Sequence, residues 1–93
     1  MHYWEEDLQM SENKRVFILL WTEMAKHSEV PTEFKKEVLS QIRAVLQGNK
    51  VSKNVFVSDI GHNFVGEVQK IMYLTDISID DMLEVLWDLR NRL

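Results

Sequence analysis

The 93-residue sequence contains no cysteine, one proline and three glycines. Without cysteine it can form no disulfide, no thiolate metal site and no cysteine nucleophile. Because proline and glycine are the residues that most often interrupt helices and strands, their scarcity predicts mostly regular secondary structure. A chain of this length fits a single domain, which we expect to span residues 1–93.

Long apolar runs and a strong net charge are also missing. The longest uninterrupted apolar run is Val16–Trp21, six residues, whereas a membrane-spanning helix needs about 20. The first charged residues, Glu5–Asp7, are acidic, and a secretory signal carries basic residues there. The formal charge of −4 makes a nucleic-acid-binding surface improbable. We therefore expect a cytoplasmic protein with no membrane contact, and a nucleic-acid partner is unlikely.

The first helical segment has an unusually wide apolar surface. Ser11 is a candidate N-cap for a helix that reaches His27, and residues 3–10 either extend this helix upstream or form a separate short one. The apolar positions cover more than half of the helix circumference and are Val16, Phe17, Leu19, Leu20, Trp21 and Met24. Such width indicates burial from two sides, either in the core of the fold or against another chain.

The second segment has the most regular pattern. Pro31 marks a helix boundary or first turn, and Gly48 stands where a left-handed C-cap is expected. Between them, apolar residues recur at steps of three and four: Phe34, Val38, Leu39, Ile42, Val45 and Leu46. This spacing predicts an amphipathic helix whose polar residues face outward: Lys35, Lys36, Gln41 and Arg43.

The third segment, residues 53–74, has apolar residues at helical steps, with Ser52 as its candidate N-cap after a tight connection at residues 49–51. The run Val55–Val57 also has strand propensity, but no second β-like segment offers it a partner, so we favour helix. Gly61 and Gly66 either permit close helix packing or mark a break near Gly61–Asn63. The sequence does not decide between one helix and two.

The last segment has the clearest start signal. Ser78 is the predicted N-cap, with Ile77 and Met82 spaced for a hydrophobic staple. Acidic Asp80 and Asp81 in the first turn and basic residues in the last turn complement the helix dipole. The predicted apolar stripe consists of Ile79, Met82, Leu83, Leu86, Leu89 and Leu93, with Trp87 beside it. Together the segments predict an all-α fold, a small bundle of four or five helices with short connections.

Residues that could perform chemistry are scattered. His2, His27 and His62 lie far apart in the sequence, and none has further ligands at the spacing of a metal motif. Asp59, His62 and Asn63 resemble a polar turn, but no activated nucleophile or oxyanion-binding element accompanies them. We therefore expect no enzyme activity, no catalytic residue, no metal and no cofactor.

Residues 51–72 admit an alternative interpretation as a DNA-binding helix-turn-helix, with Gly61–Asn63 as the turn. Val57 is larger than the motif prefers, and Glu67 is charged where it requires burial. Residues 32–70 hold six bases and four acids, a small excess beside the 6–10 phosphate contacts of a typical DNA-binding protein. A plain helical hairpin is the better interpretation.

Acidic residues dominate the end of the chain and lie near aromatic ones. Five acids from Asp76 to Asp88 precede the first base of the last helix, and Trp87 adjoins them as Trp4 adjoins Glu5–Asp7. Such a run is usually a solvated helix face, but aromatic residues beside acids also suit a basic protein surface. The predicted partner-binding residues are Trp4, Phe17, Trp21, Asp80, Asp81, Glu84, Trp87 and Asp88.

Residues 39–64 resemble the small enterobacterial connector proteins of the YmgB/AriR type. The shared pattern is a glycine that ends one amphipathic helix, here Gly48, followed by a capped start at residues 51–54 and apolar Phe56, Ile60 and Phe64. The upstream apolar positions match only with a shift of one residue, and Val65 stands where the family has an acid. The resemblance implies a small, all-helical, dimeric regulator of signalling, biofilm or stress pathways, without catalytic residues.

The sequence thus predicts a non-enzymatic helical regulator or adaptor that acts through protein–protein contact and self-associates, as a homodimer. One alternative is an immunity protein, antitoxin or phage-encoded inhibitor that masks a basic site with its acidic face. The other is the helix-turn-helix regulator that uses residues 51–72.

Overall fold

The computed structural model describes the backbone of residues 3–48 and 59–93, and the side chains of residues 12–48 and 61–93. These ranges contain four helices, which we number α1 to α4, and no strand: Tyr3–Ala25, Thr32–Leu46, Asp59–Thr75 and Ile79–Arg92. The predicted all-α bundle is confirmed. None of the described helices is long and apolar enough to cross a membrane.

The four helices enclose one hydrophobic core. Helices α1 and α2 each pack against both α3 and α4, so each helix has a side that is removed from water. The buried apolar residues are Val16, Leu20, Met24, Val38, Leu39, Ile42, Phe64, Val68, Ile71, Met82, Val85, Leu86 and Leu89. Their recurrence at three- and four-residue steps places one stripe of each helix toward the centre.

The predicted ends of α2 and α4 are confirmed. After α2, Gly48 has a positive φ of 82° and its N–H donates to the Val45 carbonyl over 3.0 Å, the left-handed C-cap geometry that glycine adopts without strain. Before α4, the Ser78 hydroxyl accepts a hydrogen bond from the Asp81 N–H over 3.1 Å. Ile77 packs against the core that contains Met82, as the staple spacing predicts.

The sequence left a helix break open at Ser11 and at Gly61–Asn63, and the structure shows none at either place. Ser11 is not an N-cap, because α1 runs without interruption from Tyr3, and the helix ends at Ala25 rather than His27. Helix α3 passes through Gly61–Asn63 without a break. The helical hydrogen-bond ladder outweighs the cost of about 1 kcal/mol for each internal glycine. The turn that either a helix-turn-helix or a plain helical hairpin requires at these residues is therefore absent.

Three predictions about side-chain orientation are also wrong. Lys35 is only 9% exposed, because it lies one turn before Val38 and Leu39 and its aliphatic stem covers the same apolar stripe. Arg43 is half-buried and donates a hydrogen bond to α4. Ile79 is half-exposed, and Val85 takes a place in the stripe that the sequence did not assign to it.

The predictions for residues 49–58, including the connection after Gly48, the Ser52 cap and the choice between helix and strand for Val55–Val57, lie outside the described residues. Asp76, which follows α3, has a positive φ of 54°. Aspartate is one of the few non-glycine residues that adopt this left-handed backbone. It turns the chain between α3 and α4.

Candidate protein-contact site

Trp87 is the largest side chain left exposed on α4. The core stripe of this helix, centred on Leu86, is buried, and Trp87 lies about 100° farther round the helix at the boundary between core and solvent. It is 45% exposed. A tryptophan in this position places a broad apolar surface in contact with water.

Two arginines contact the Trp87 ring, one from α2 and one from the next turn of α4 itself. The guanidinium carbon of Arg43, on α2, lies 4.7 Å from the centroid of the Trp87 ring, and that of Arg90 lies 5.4 Å from it. Both distances fall within the roughly 6 Å of a cation–π contact. Each arginine also joins α2 to α4: Arg43 Nε donates to the Leu83 carbonyl over 3.2 Å, and Arg90 Nε donates to Ser40 Oγ over 3.0 Å.

An open groove of about 440 Å³ lies over this cluster. It is lined by Arg43 of α2 and by four residues of α4: Leu83, Glu84, Trp87 and Asp88. Arg43 and Arg90 each use their Nε–H in a hydrogen bond between α2 and α4. Glu84 and Asp88 are exposed. Among the described residues, Lys26–Glu23 is the only ion pair. The carboxylates of Glu84 and Asp88 therefore have no cationic partner there. We call these five lining residues the Trp87 groove.

A second exposed apolar surface lies on α1. The Phe17 and Trp21 rings are stacked, with centroids 6.0 Å apart and planes 16° from parallel. The guanidinium carbon of Arg92 lies 5.3 Å from the Phe17 centroid, which places the end of α4 beside this stack. Trp21 is 39% exposed and Ile18 is 54% exposed. We call Phe17, Ile18 and Trp21 the α1 aromatic face.

The wide apolar surface of residues 16–24 therefore has two parts. Val16, Leu20 and Met24 are buried in the core, as expected for residues four apart on one helix side. The α1 aromatic face lies on the adjoining side, and its two outer residues, Ile18 and Trp21, are exposed. The first part belongs to the core, and the second is open to solvent, as is Leu19, which is 40% exposed.

The structure groups most of the predicted partner-binding residues. Glu84, Trp87 and Asp88 meet in the Trp87 groove, and Phe17 and Trp21 stack on α1. Asp80 and Asp81 lie in the first turn of α4, outside the groove lining. The Trp4 side chain is outside the described side chains.

The sequence prediction missed the two arginines that hold Trp87. Arg90 is three residues after Trp87, a spacing that places two side chains on neighbouring positions of a helix, so this contact was accessible from the sequence. Arg43 is 44 residues away in the sequence, and its contact depends on how α2 packs against α4. No local pattern encodes that pairing.

No group of three or more histidine and acidic side chains that could hold a metal ion occurs among the described residues. His62 is exposed on α3, and His27 is half-buried in the turn after α1. What the described surface offers is apolar area next to charge, which is suited to binding another macromolecule. Comparisons with protein families, curated proteins and solved structures find no significant match to this chain.

Proposed function

We propose that this chain is a small helical adaptor or regulator that acts through protein–protein contact, with the Trp87 groove as its principal contact surface. The observation that carries this proposal is the 45% exposure of a tryptophan that two arginines hold in place. Tryptophan and arginine are the residues most enriched at the energetic centres of protein interfaces. A held side chain also loses little conformational freedom when a partner binds.

The α1 aromatic face supports self-association as the second element of this function. Trp21 stacks on Phe17, which packs against the core, so a second copy that covers Trp21 would extend the apolar core across this side of α1. Homodimers form interfaces of this apolar kind, and most are symmetric, with the same patch on both chains. An adaptor of this kind pairs through α1 and presents the Trp87 groove to a different protein.

Site-specific photo-crosslinking in cells that express the chain natively tests the first element. A photoreactive amino acid at position 84 or 88 should capture a protein, and the same probe at position 69 should not capture it. Gln69 is exposed on α3 and does not line the Trp87 groove. Replacing Trp87 with alanine should abolish the adduct, and equal crosslinking from positions 69 and 84 would contradict the proposal.

Sedimentation velocity at micromolar concentration tests the second element. The wild-type chain should sediment as a dimer, and Trp21→Ser should sediment as a monomer with unchanged helix content. A monomeric wild-type chain would remove self-association from the proposal. The adaptor role at the Trp87 groove would stand or fall separately on the crosslinking result.

The cytoplasmic location, the absence of enzyme activity and the relation to YmgB/AriR-type regulators stay predictions of the sequence. They agree with an adaptor role, because such proteins act by contact alone. The masking of a basic site by an acidic face is the one alternative that a specific feature favours, namely the unpaired carboxylates at the Trp87 groove.

A further inference from the structure

The side chains that line the Trp87 groove carry a net negative charge, because Glu84 and Asp88 outnumber Arg43. Arg43 and Arg90 donate to groups between α2 and α4 and contact the tryptophan ring. Glu84 and Asp88 at the rim are exposed and unpaired within the described part of the chain. A partner approaching from solvent therefore meets apolar surface bordered by free carboxylates.

The acidic rim continues along one side of α4. Asp80, Glu84 and Asp88 are spaced four residues apart and all three are exposed. With a rise of about 1.5 Å per residue, they form a line of about 12 Å that turns only slowly round the helix. Trp87 and Leu83 lie beside this line and supply the apolar part of the same surface.

This arrangement matches one kind of occupant. Resting on the proposed function, we infer that the Trp87 groove binds a cationic amphipathic helix of a partner protein, with arginines at four-residue steps paired to Asp80, Glu84 and Asp88. An apolar side chain of that helix fills the groove over Leu83 and Trp87.

Arginine fits this surface better than lysine. Its planar guanidinium can bond a carboxylate in a bidentate manner and stack on an aromatic ring at the same time. Arg43 already shows that a guanidinium can lie over the Trp87 ring and donate a hydrogen bond at the same time, in its case to the Leu83 carbonyl. The groove volume of about 440 Å³ lies within the usual range of roughly 300–1,000 Å³ for ligand pockets. Because the groove is open, a side chain that fills it needs further contacts between the partner helix and α4.

Binding of designed peptides to the full chain tests this inference. The probe is a labelled helical peptide of about five turns, with arginines at positions i, i+4 and i+8 and one leucine beside them. A peptide of identical composition with the arginines out of register is the matched probe. Fluorescence anisotropy measures the affinity, which should weaken as the salt concentration rises to about 0.3 M.

Two variants of the chain locate the binding. The double variant Glu84→Gln/Asp88→Asn should weaken binding by about tenfold or more without disturbing packing, because both side chains are exposed. The control Glu29→Gln/Glu33→Gln makes the same change in net charge at two exposed residues outside the groove. It should retain nearly wild-type affinity.

Several outcomes would overturn the inference. Equal affinity for the two peptides would show that bulk charge alone drives binding. Equal weakening of binding by both double variants would show that the peptide does not bind at the Trp87 groove. A dimer that Glu84→Gln/Asp88→Asn dissociates would show that a second copy occupies the groove. A neutral or acidic segment crosslinked from position 84 would refute the cationic helix while leaving the adaptor role intact.

Discussion

Arg43 and Trp87 join the second helix to the last through a cation–π contact of 4.7 Å. The arginine is held by its hydrogen bond to the Leu83 carbonyl, and the tryptophan receives a second guanidinium from Arg90. This pair therefore serves both the stability of the α2–α4 packing and the shape of the Trp87 groove. The two roles can be separated by experiment.

Replacing Arg43 and Trp87 singly and together with alanine should reveal a coupling free energy of about 0.5–1 kcal/mol, the usual range for a partly exposed cation–π pair. Arg43→Ala should lower the free energy of unfolding by about 1–2 kcal/mol, because it also removes the bond to Leu83. Urea denaturation of the four proteins measures both quantities. Lys70→Ala, at an exposed α3 residue, should change stability by less than about 0.5 kcal/mol, and additive effects of the pair would contradict the contact.

Alanine substitution at two glycines should change stability in opposite directions. Gly48 has a φ of 82° and open space where a Cβ would be added, so Gly48→Ala should destabilise by about 1 kcal/mol through backbone strain alone. Gly66 lies inside α3, also with nothing within 4 Å of an added Cβ, so Gly66→Ala should stabilise by about 0.5–1 kcal/mol. Thermal or urea unfolding of the two variants provides the comparison, and a shared sign would show that one backbone assignment is wrong.

The sequence was sufficient for features that depend on local pattern. The left-handed Gly48, the Ser78 cap and the amphipathic stripes all follow from residues within one or two helical turns of each other. Features that depend on packing between helices were missed or mistaken. Lys35 was expected outside because lysine is charged, yet the adjoining apolar stripe covers its stem.

The candidate site shows the same division. Acidic residues beside Trp87 were visible in the sequence of α4, and so was the wide apolar surface of α1. The division of that surface into a buried part at Leu20 and an exposed part at Trp21 required the positions of α3 and α4. The contribution of Arg43 required the packing of α2.

At the N-cap of α4 the glycine variant should be more stable than the alanine variant, the reverse of the order inside the helix. Ser78→Ala should cost about 1 kcal/mol, because the Asp81 N–H loses its acceptor, whereas Ser78→Gly should cost only a few tenths of that. Inside the same helix, at exposed Asp88, glycine should be less stable than alanine by about 1 kcal/mol. Urea unfolding of these four variants checks the reversal, and the same order at both positions would refute capping by Ser78.

Leu20 and Trp21 are neighbours in the sequence but should respond differently to truncation. Leu20 is completely buried, so Leu20→Ala should lower the free energy of unfolding by about 2–5 kcal/mol through lost burial and a cavity. Trp21 lies on the α1 aromatic face and stacks on Phe17, so Trp21→Ala should cost the isolated chain the aromatic pair, about 0.5–1.5 kcal/mol, in addition to the part of its surface that is buried. Urea unfolding at protein concentrations below the dimer dissociation constant measures the costs for the monomer.

At higher protein concentration the effect of Trp21→Ala should grow, because association stabilises the folded state by mass action. The midpoint of wild-type unfolding should rise with concentration, and that of Trp21→Ala should not. Leu20→Ala should retain the concentration dependence of the wild type, since Leu20 has no exposed surface to offer a second chain. If the midpoints of wild type and Trp21→Ala were equally independent of concentration, the α1 aromatic face would be a surface of the monomer rather than an interface.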